Sequence, residues 1–148
     1  MEAQQNRVPG RILGLDVGAR RIGLAVSDPL GLTAQGLPTL HRRNRRYDQS
    51  ELRKVVREYE VSEIVVGNPL RMSGQTGAQA EKMAAFAEQI SQELSLPVHL
   101  WDERLSTAEA HRLLDETDIR DARRREVIDK MAAVLILQSF LDARAARR

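Results

Sequence analysis

Between Arg11 and Asp28 the chain reads RILGLDVGARRIGLAVSD, the stretch around which the rest is organised. Ile12, Leu13, Leu15 and Val17 form a near-continuous apolar run, the pattern of a central strand covered on both faces. One acid, Asp16, interrupts it. Gly18, Ala19 and Arg20 supply a turn, after which Ile22, Leu24 and Val26 alternate with Gly23, Ala25 and Ser27 at the two-residue period of a second strand. A carboxylate is costly to bury unless it is paired or holds a metal. An acid on a core strand, beside a turn softened by glycine, marks a candidate site; the bland alternative is a capped turn.

The rest of the chain limits what such a site can be. Its 148 residues suffice for one domain with a proper core and are too few for two of ordinary size. Aromatics are only 3%, so aliphatic side chains and alanine must build the interior. With no cysteine there is neither a disulfide framework nor a thiolate metal site. No apolar run reaches membrane-spanning length and no signal-peptide core is visible, which leads us to expect a cytoplasmic protein with no membrane partner. The net charge of +2 says little, but its placement says more. Arg42, Arg43, Arg45 and Arg46 lie close together, as do Arg123, Arg124 and Arg125, with Arg144, Arg147 and Arg148 at the end. Such clusters suit phosphate backbones or are simply solvated faces.

Taken in order, residues 1–9 are expected to be a flexible leader, 10–143 a single domain and 144–148 a basic tail. A third strand is expected over Leu32 to Leu40, with Pro38 placing it at an edge. HRRNRRYDQS reads as a basic loop leading to a helix whose Leu52, Val55, Val56 and Tyr59 share one face. Glu63 to Gly67 is a short buried strand, followed by the polar loop RMSGQTGAQ. A helix from about Ala78 to Leu94 turns Met83, Phe86, Ala87, Ile90 and Leu94 inward, and Pro97 to Trp101 form a last strand. Ser106-Thr107-Ala108-Glu109 fits a capping box that starts another helix. The closing helix is expected over about Glu126 to Ala143. This order of elements makes an α/β layer with a five-stranded mixed sheet flanked by helices.

Geometry sorts the acids. With the turn near Ala19, Asp16 pairs with residues around Ile22, and Asp28 lies six residues further along, roughly 20 Å away at the other end of the sheet. Right-handed crossovers put the strands of Asp16, Val65 and Trp101 parallel, so Asp16 shares an edge with the Asp102-Glu103 pair. Only one of that pair can join Asp16, and the period alone does not say which. Glu109 is explained by its capping box. Asp129 heads a helical stripe of Ala132, Ala133, Ile136 and Phe140 and so faces the sheet, unless it merely serves the helix dipole. Three acids aimed at one edge repel one another without a cation. On that basis, Asp129→Asn is expected to raise stability when metal is chelated. Oxygen ligands with no His or Cys nearby point to Mg²⁺ or Mn²⁺ and to two-metal phosphodiester hydrolysis. His41, His99 and His111 show no ligand spacing.

LDVGARRIGLAVSD, VVGNPLRMSG, DERLSTAEA and IDKMAAVLILQSFL together resemble the YqgF (RuvX) family, relatives of Holliday junction resolvases in the ribonuclease H-like superfamily. The resemblance implies a ribonuclease H-like fold with catalytic, metal-holding carboxylates at Asp16, Glu103 and Asp129, and it selects Glu103 over Asp102. It also implies a nuclease for the 5′ end of the 16S ribosomal RNA precursor, acting in ribosome biogenesis on precursor particles, with branched-DNA resolution as the alternative. Lys130, Arg71, Arg104 and Arg20 would then contact phosphates near the site, and Arg42, Arg43, Arg45 and Arg46 would hold substrate further out. Two other classes compete. An actin-like ATPase also uses an Asp-x-Gly hairpin but needs two lobes, and a non-catalytic rRNA-binding assembly factor would keep the acids for stability alone. Monomer and homodimer are both compatible with the sequence.

Overall fold

Ile12 to Leu15 are buried and form the middle of β1 (Arg11–Val17). The computed structural model describes residues 10–68, 76–102 and 121–147. β2 (Arg21–Ser27) folds back antiparallel on β1, with Asp16 opposite Gly23 and Val17 opposite Ile22. The turn is closed by the Gly18 N–H donating to the Arg21 carbonyl at 2.9 Å. β3 (Ala34–His41) pairs antiparallel with β2 and lies at the sheet edge, where the exposed Pro38 removes no needed donor. β4 (Val61–Asn68) and β5 (Val98–Asp102) extend the other side as parallel partners, in the order β3-β2-β1-β4-β5. The carboxyl ends of β1, β4 and β5 therefore share one edge, the geometry expected from the sequence.

The two faces of the sheet are divided by strand parity. Leu13 and Leu15 of β1, Ile22, Leu24 and Val26 of β2, and Ile64 and Val66 of β4 form one core cluster with Leu52, Met83 and Ile90. Leu52 belongs to α1 (Arg45–Glu58), and Met83 and Ile90 to α2 (Thr76–Leu94). Ile12, Ala25 and Val65 look the other way, onto Ala133, Ile136, Leu137 and Phe140 of α3 (Asp121–Ala146). A row of small residues, Gly14 opposite Ala25 opposite Gly36, runs across three strands beneath α3. A β-carbon at Gly14 would lie 2.8 Å from Cβ of Leu137, so the helix approaches the sheet backbone more closely than larger residues would allow.

Several boundaries differ from expectation. β3 begins at Ala34 rather than Leu32, because the Asp28 carboxylate accepts the N–H groups of Leu32 and Thr33 at 2.6 and 2.9 Å and holds them in a turn. The basic stretch is not all loop. Asn44 caps α1 by accepting the Tyr47 N–H at 2.8 Å, so Arg45 and Arg46 are in the first helical turn. α3 begins at Asp121, before Glu126, and continues past Ala143 to Ala146. Arg144 is thus part of the folded helix and grips Glu63 with two 2.9 Å bonds. The polar stretch RMSGQTGAQ is not all loop either, because α2 begins at Thr76, before the expected Ala78. The residues 1–9, positions 69–75 and the capping box at Ser106 lie outside the described residues.

Candidate active site

Asp16 follows the parity of Ile12 and Gly14, so its position is on the α3 face, at the carboxyl end of β1. It is half-buried, and its cross-strand partner is Gly23. A β-carbon at Gly23 would lie 2.0 Å from the carbonyl oxygen of Asp129, closer than any real contact. Glycine there lets the α3 backbone touch β2 beside Asp16, which brings Asp16 and Asp129 to one level of one face. Two positions distant in sequence, 16 and 129, thus both adjoin Gly23.

Their charge is already answered in part. Arg21 Nε donates to Asp129 Oδ2 at 2.6 Å, with side-chain exposures of 24% and 16%. Arg21 was not among the residues anticipated for the site, although its signal was present. It shares the parity of Gly23 and Ala25, the positions of β2 that face α3. Arg20, which was anticipated, is exposed on the turn. Arg20, Arg21, Arg125 and Asp129, with Gly18 and Ala19, line an open pocket of about 370 Å³. A second pocket, of about 400 Å³, runs from Ala19 and Arg20 to Arg43, Asn44 and Arg45, so basic residues flank the β1–β2 turn on both sides. A roomier one, of about 530 Å³, lies between β3 and α1 over Leu37, Leu40 and Val55 and reaches His41 and Arg43.

The four arginines of the basic stretch divide by what they touch. Arg42 donates to the Gly18 carbonyl at 2.7 Å and to Asp48 Oδ2 at 3.1 Å, so it ties the β1–β2 turn to the start of α1. Arg45 pairs with Glu93 at 2.9 Å. Arg43 is exposed and lies over the Tyr47 ring at 4.5 Å, and Arg46 is exposed on the first turn of α1. Lys130 rests its stem on Gly36 of β3, two strands from Asp16. Glu103, Arg71 and Arg104 lie outside the described residues, as do Glu109 and His111.

Asp28 is a structural acid at the far end of the hairpin. Its carboxyl is held below the ordinary value, first by the Thr33 N–H. His99 Nε2 lies 2.9 Å from Glu63 Oε1 and its ring stacks on Phe140, while His41 is 3.6 Å from Glu126. Both are occupied by acids. Among the described residues no three His, Asp or Glu side chains gather as a metal cage. Asp16 and Asp129 supply two oxygen-donor groups of the kind that Mg²⁺ or Mn²⁺ accepts.

Residues 10–143 match the family model RuvX, described as Holliday junction resolvase. The chain belongs to the RuvX family. Relatives within reach of this RuvX chain are close. A Koribacter versatilis protein named "Putative pre-16S rRNA nuclease" is 52% identical over 145 residues, covering 98% of this chain and 95% of its own. A Moorella thermoacetica protein of the same name is 54% identical over 132 residues, 89% of this chain and 94% of its own. Among solved structures, Thermus thermophilus RuvC in complex with a Holliday junction superposes with a TM-score of 0.54 at 13% identity, over 92% of this chain and 96% of that one. Fowlpox virus resolvase gives 0.54 at 9% identity, over 90% and 97%. The fold of this RuvX protein is therefore that of the RuvC-like resolvases, the ribonuclease H-like arrangement expected from the motifs.

Proposed function

We propose that this RuvX protein is a metal-dependent nuclease that hydrolyses phosphodiester bonds in structured RNA, at the 5′ end of the 16S rRNA precursor. The observation that supports the reading is that Asp16 and the Asp129 backbone both adjoin Gly23 at the carboxyl end of β1, beside a pocket lined by Arg20, Arg21, Arg125 and Asp129. The choice of RNA follows the names of relatives about half identical in sequence, not the distant fold neighbours that bind branched DNA.

Asp16, Glu103 and Asp129 would hold Mg²⁺ or Mn²⁺. Such an ion, when bound, supplies activation of water and stabilisation of the leaving oxygen. Glu103 is taken over Asp102 on the family motif DERLSTAEA, in which it follows the end of β5 in sequence. Arg20 and Arg125 bind the phosphates flanking the cut, and Arg71, Arg104 and Lys130 add further charge. Arg43 and Arg46 hold substrate further out, whereas Arg42 and Arg45 shape the turn and α1 on which they stand. No helix among the described residues is long and apolar enough to cross a membrane. The names of the relatives support a cytoplasmic place of work on ribosomal precursor particles.

The test is cleavage of a 16S rRNA precursor fragment and a four-way DNA junction side by side, with Mg²⁺ or Mn²⁺, by wild type and Asp16→Asn. Metal-dependent cutting of the RNA at its 5′ end, lost in the variant by several orders of magnitude, is expected. Cutting of the junction alone would make the protein a resolvase. Metal-independent RNA binding with no cleavage would make it an assembly factor.

A further inference from the structure

The contact between Arg21 and Asp129 joins a cation that lines the open pocket to a proposed metal ligand. The bond runs through Nε, one of three guanidinium nitrogens, and holds Asp129 Oδ2 at 2.6 Å. Arg21 also lines the open pocket with Arg20 and Arg125, and among the described lining residues Asp129 is the acid that these three cations accompany. Like charges crowded in this way favour an anion, and the planar fork of arginine matches a phosphate as well as it matches a carboxylate. A divalent cation on the Asp129 carboxylate would lie within a few ångströms of that guanidinium, where the two repel. Nor does the fold need the pair to seat α3, because the Gly23 contact already brings the helix backbone onto β2.

We propose that Arg21 is a substrate-responsive latch on Asp129. It occupies the carboxylate while no nucleic acid is bound and turns to a phosphate when one enters the pocket. Metal and nucleic acid then bind with positive coupling, each raising the affinity of the other by the same factor. The protein would hold little metal until a nucleic acid enters the pocket. Arg21 is in this account a positioning residue that acts through Asp129. The inference rests on the reading of Asp129 as a metal ligand, and the test separates the two.

Mn²⁺ binding to the full chain is measured by the electron spin resonance of the free ion, at 4 °C, for wild type, Arg21→Gln and Asp129→Asn. Each is titrated alone and with a saturating 16S rRNA precursor fragment, read within the first minute, with Asp129→Asn plus RNA as the blank for metal held by the RNA. Arg21→Gln should bind Mn²⁺ about tenfold more tightly than wild type without RNA, and RNA should tighten wild type by a similar factor but the variant hardly at all. A merely structural Arg21 would leave Mn²⁺ affinity unchanged or weaken it on substitution, and either result overturns the latch. Wild-type affinity that is indifferent to RNA overturns it as well, without recourse to any variant at position 21. If Asp129→Asn binds Mn²⁺ as wild type does, the metal-ligand reading itself fails.

Discussion

Gly23→Ala tests the contact that brings the two acids together. The added methyl would lie 2.0 Å from the Asp129 carbonyl oxygen and 2.6 Å from its carbonyl carbon. Ordinary van der Waals contact needs more than an ångström beyond that, and the obstacle is helix backbone, which cannot rotate aside as a side chain can. α3 must therefore lift from β2 at this point, loosening the packing of Ala132 and Ala133, which are 1% and 0% exposed. Overpacking of this kind costs about 1–3 kcal/mol, and a backbone neighbour favours the upper end. For a domain of this size that lowers the melting temperature by roughly 3–10 °C. Gly77→Ala is the control. Nothing lies within 4 Å of its added methyl, and it occupies the first turn of α2, so it should be neutral or stabilising by up to about 1 kcal/mol. Urea melts of the two variants beside wild type decide the matter. A Gly23→Ala protein within about 0.5 kcal/mol of wild type would mean that α3 does not touch β2 there, and the juxtaposition of Asp16 and Asp129 would fall with it.

Other expectations follow from the same contacts. Asp129→Asn in EDTA should lose about 1 kcal/mol by calorimetry rather than gain stability, because it strips Arg21 of its partly buried partner; a rise in melting temperature would restore like-charge repulsion as the dominant effect. The Glu63 carboxyl is held below its ordinary value of 4.5, first by the Arg144 guanidinium and also by His99. A depressed folded-state value gives stability that is present above about pH 4.5 and lost as pH falls through the lower folded value, so Glu63→Gln should flatten the acid side of a stability–pH curve, and an unaltered acid limb would contradict the pairing. Arg43→Ala with Arg46→Ala should reduce the salt dependence of RNA affinity by roughly 0.7–0.9 per lost phosphate contact with the melting temperature unchanged, as a filter-binding series at rising salt would show. Arg42→Ala should instead lower stability by about 1–2 kcal/mol, since it unties Gly18 and Asp48, and a variant that loses only RNA affinity would refute that role.

The local pattern of the chain decided a good deal unaided. An apolar run and an alternating one, joined by Gly18, determine the β1–β2 hairpin, and the register that follows sends Asp28 to the far end. The stripe from Asp129 to Phe140 determines which side of α3 meets the sheet, since helical spacing has no other way to bury Ala133 and Ile136. Both are properties of neighbours in sequence, where covalent geometry limits the choices. What only the tertiary structure decided is who answers each charge. Arg21 and Asp129 are 108 positions apart, Arg144 and Glu63 are 81 apart, and Arg45 and Glu93 are also far apart. No local period connects such partners, so the same arginine-rich text reads alike for Arg42, which braces a turn, and Arg46, which faces solvent. The distinction arises because a long charged side chain takes its partner from whatever backbone the fold delivers within its reach, and that delivery is a property of the packed sheet and helices together.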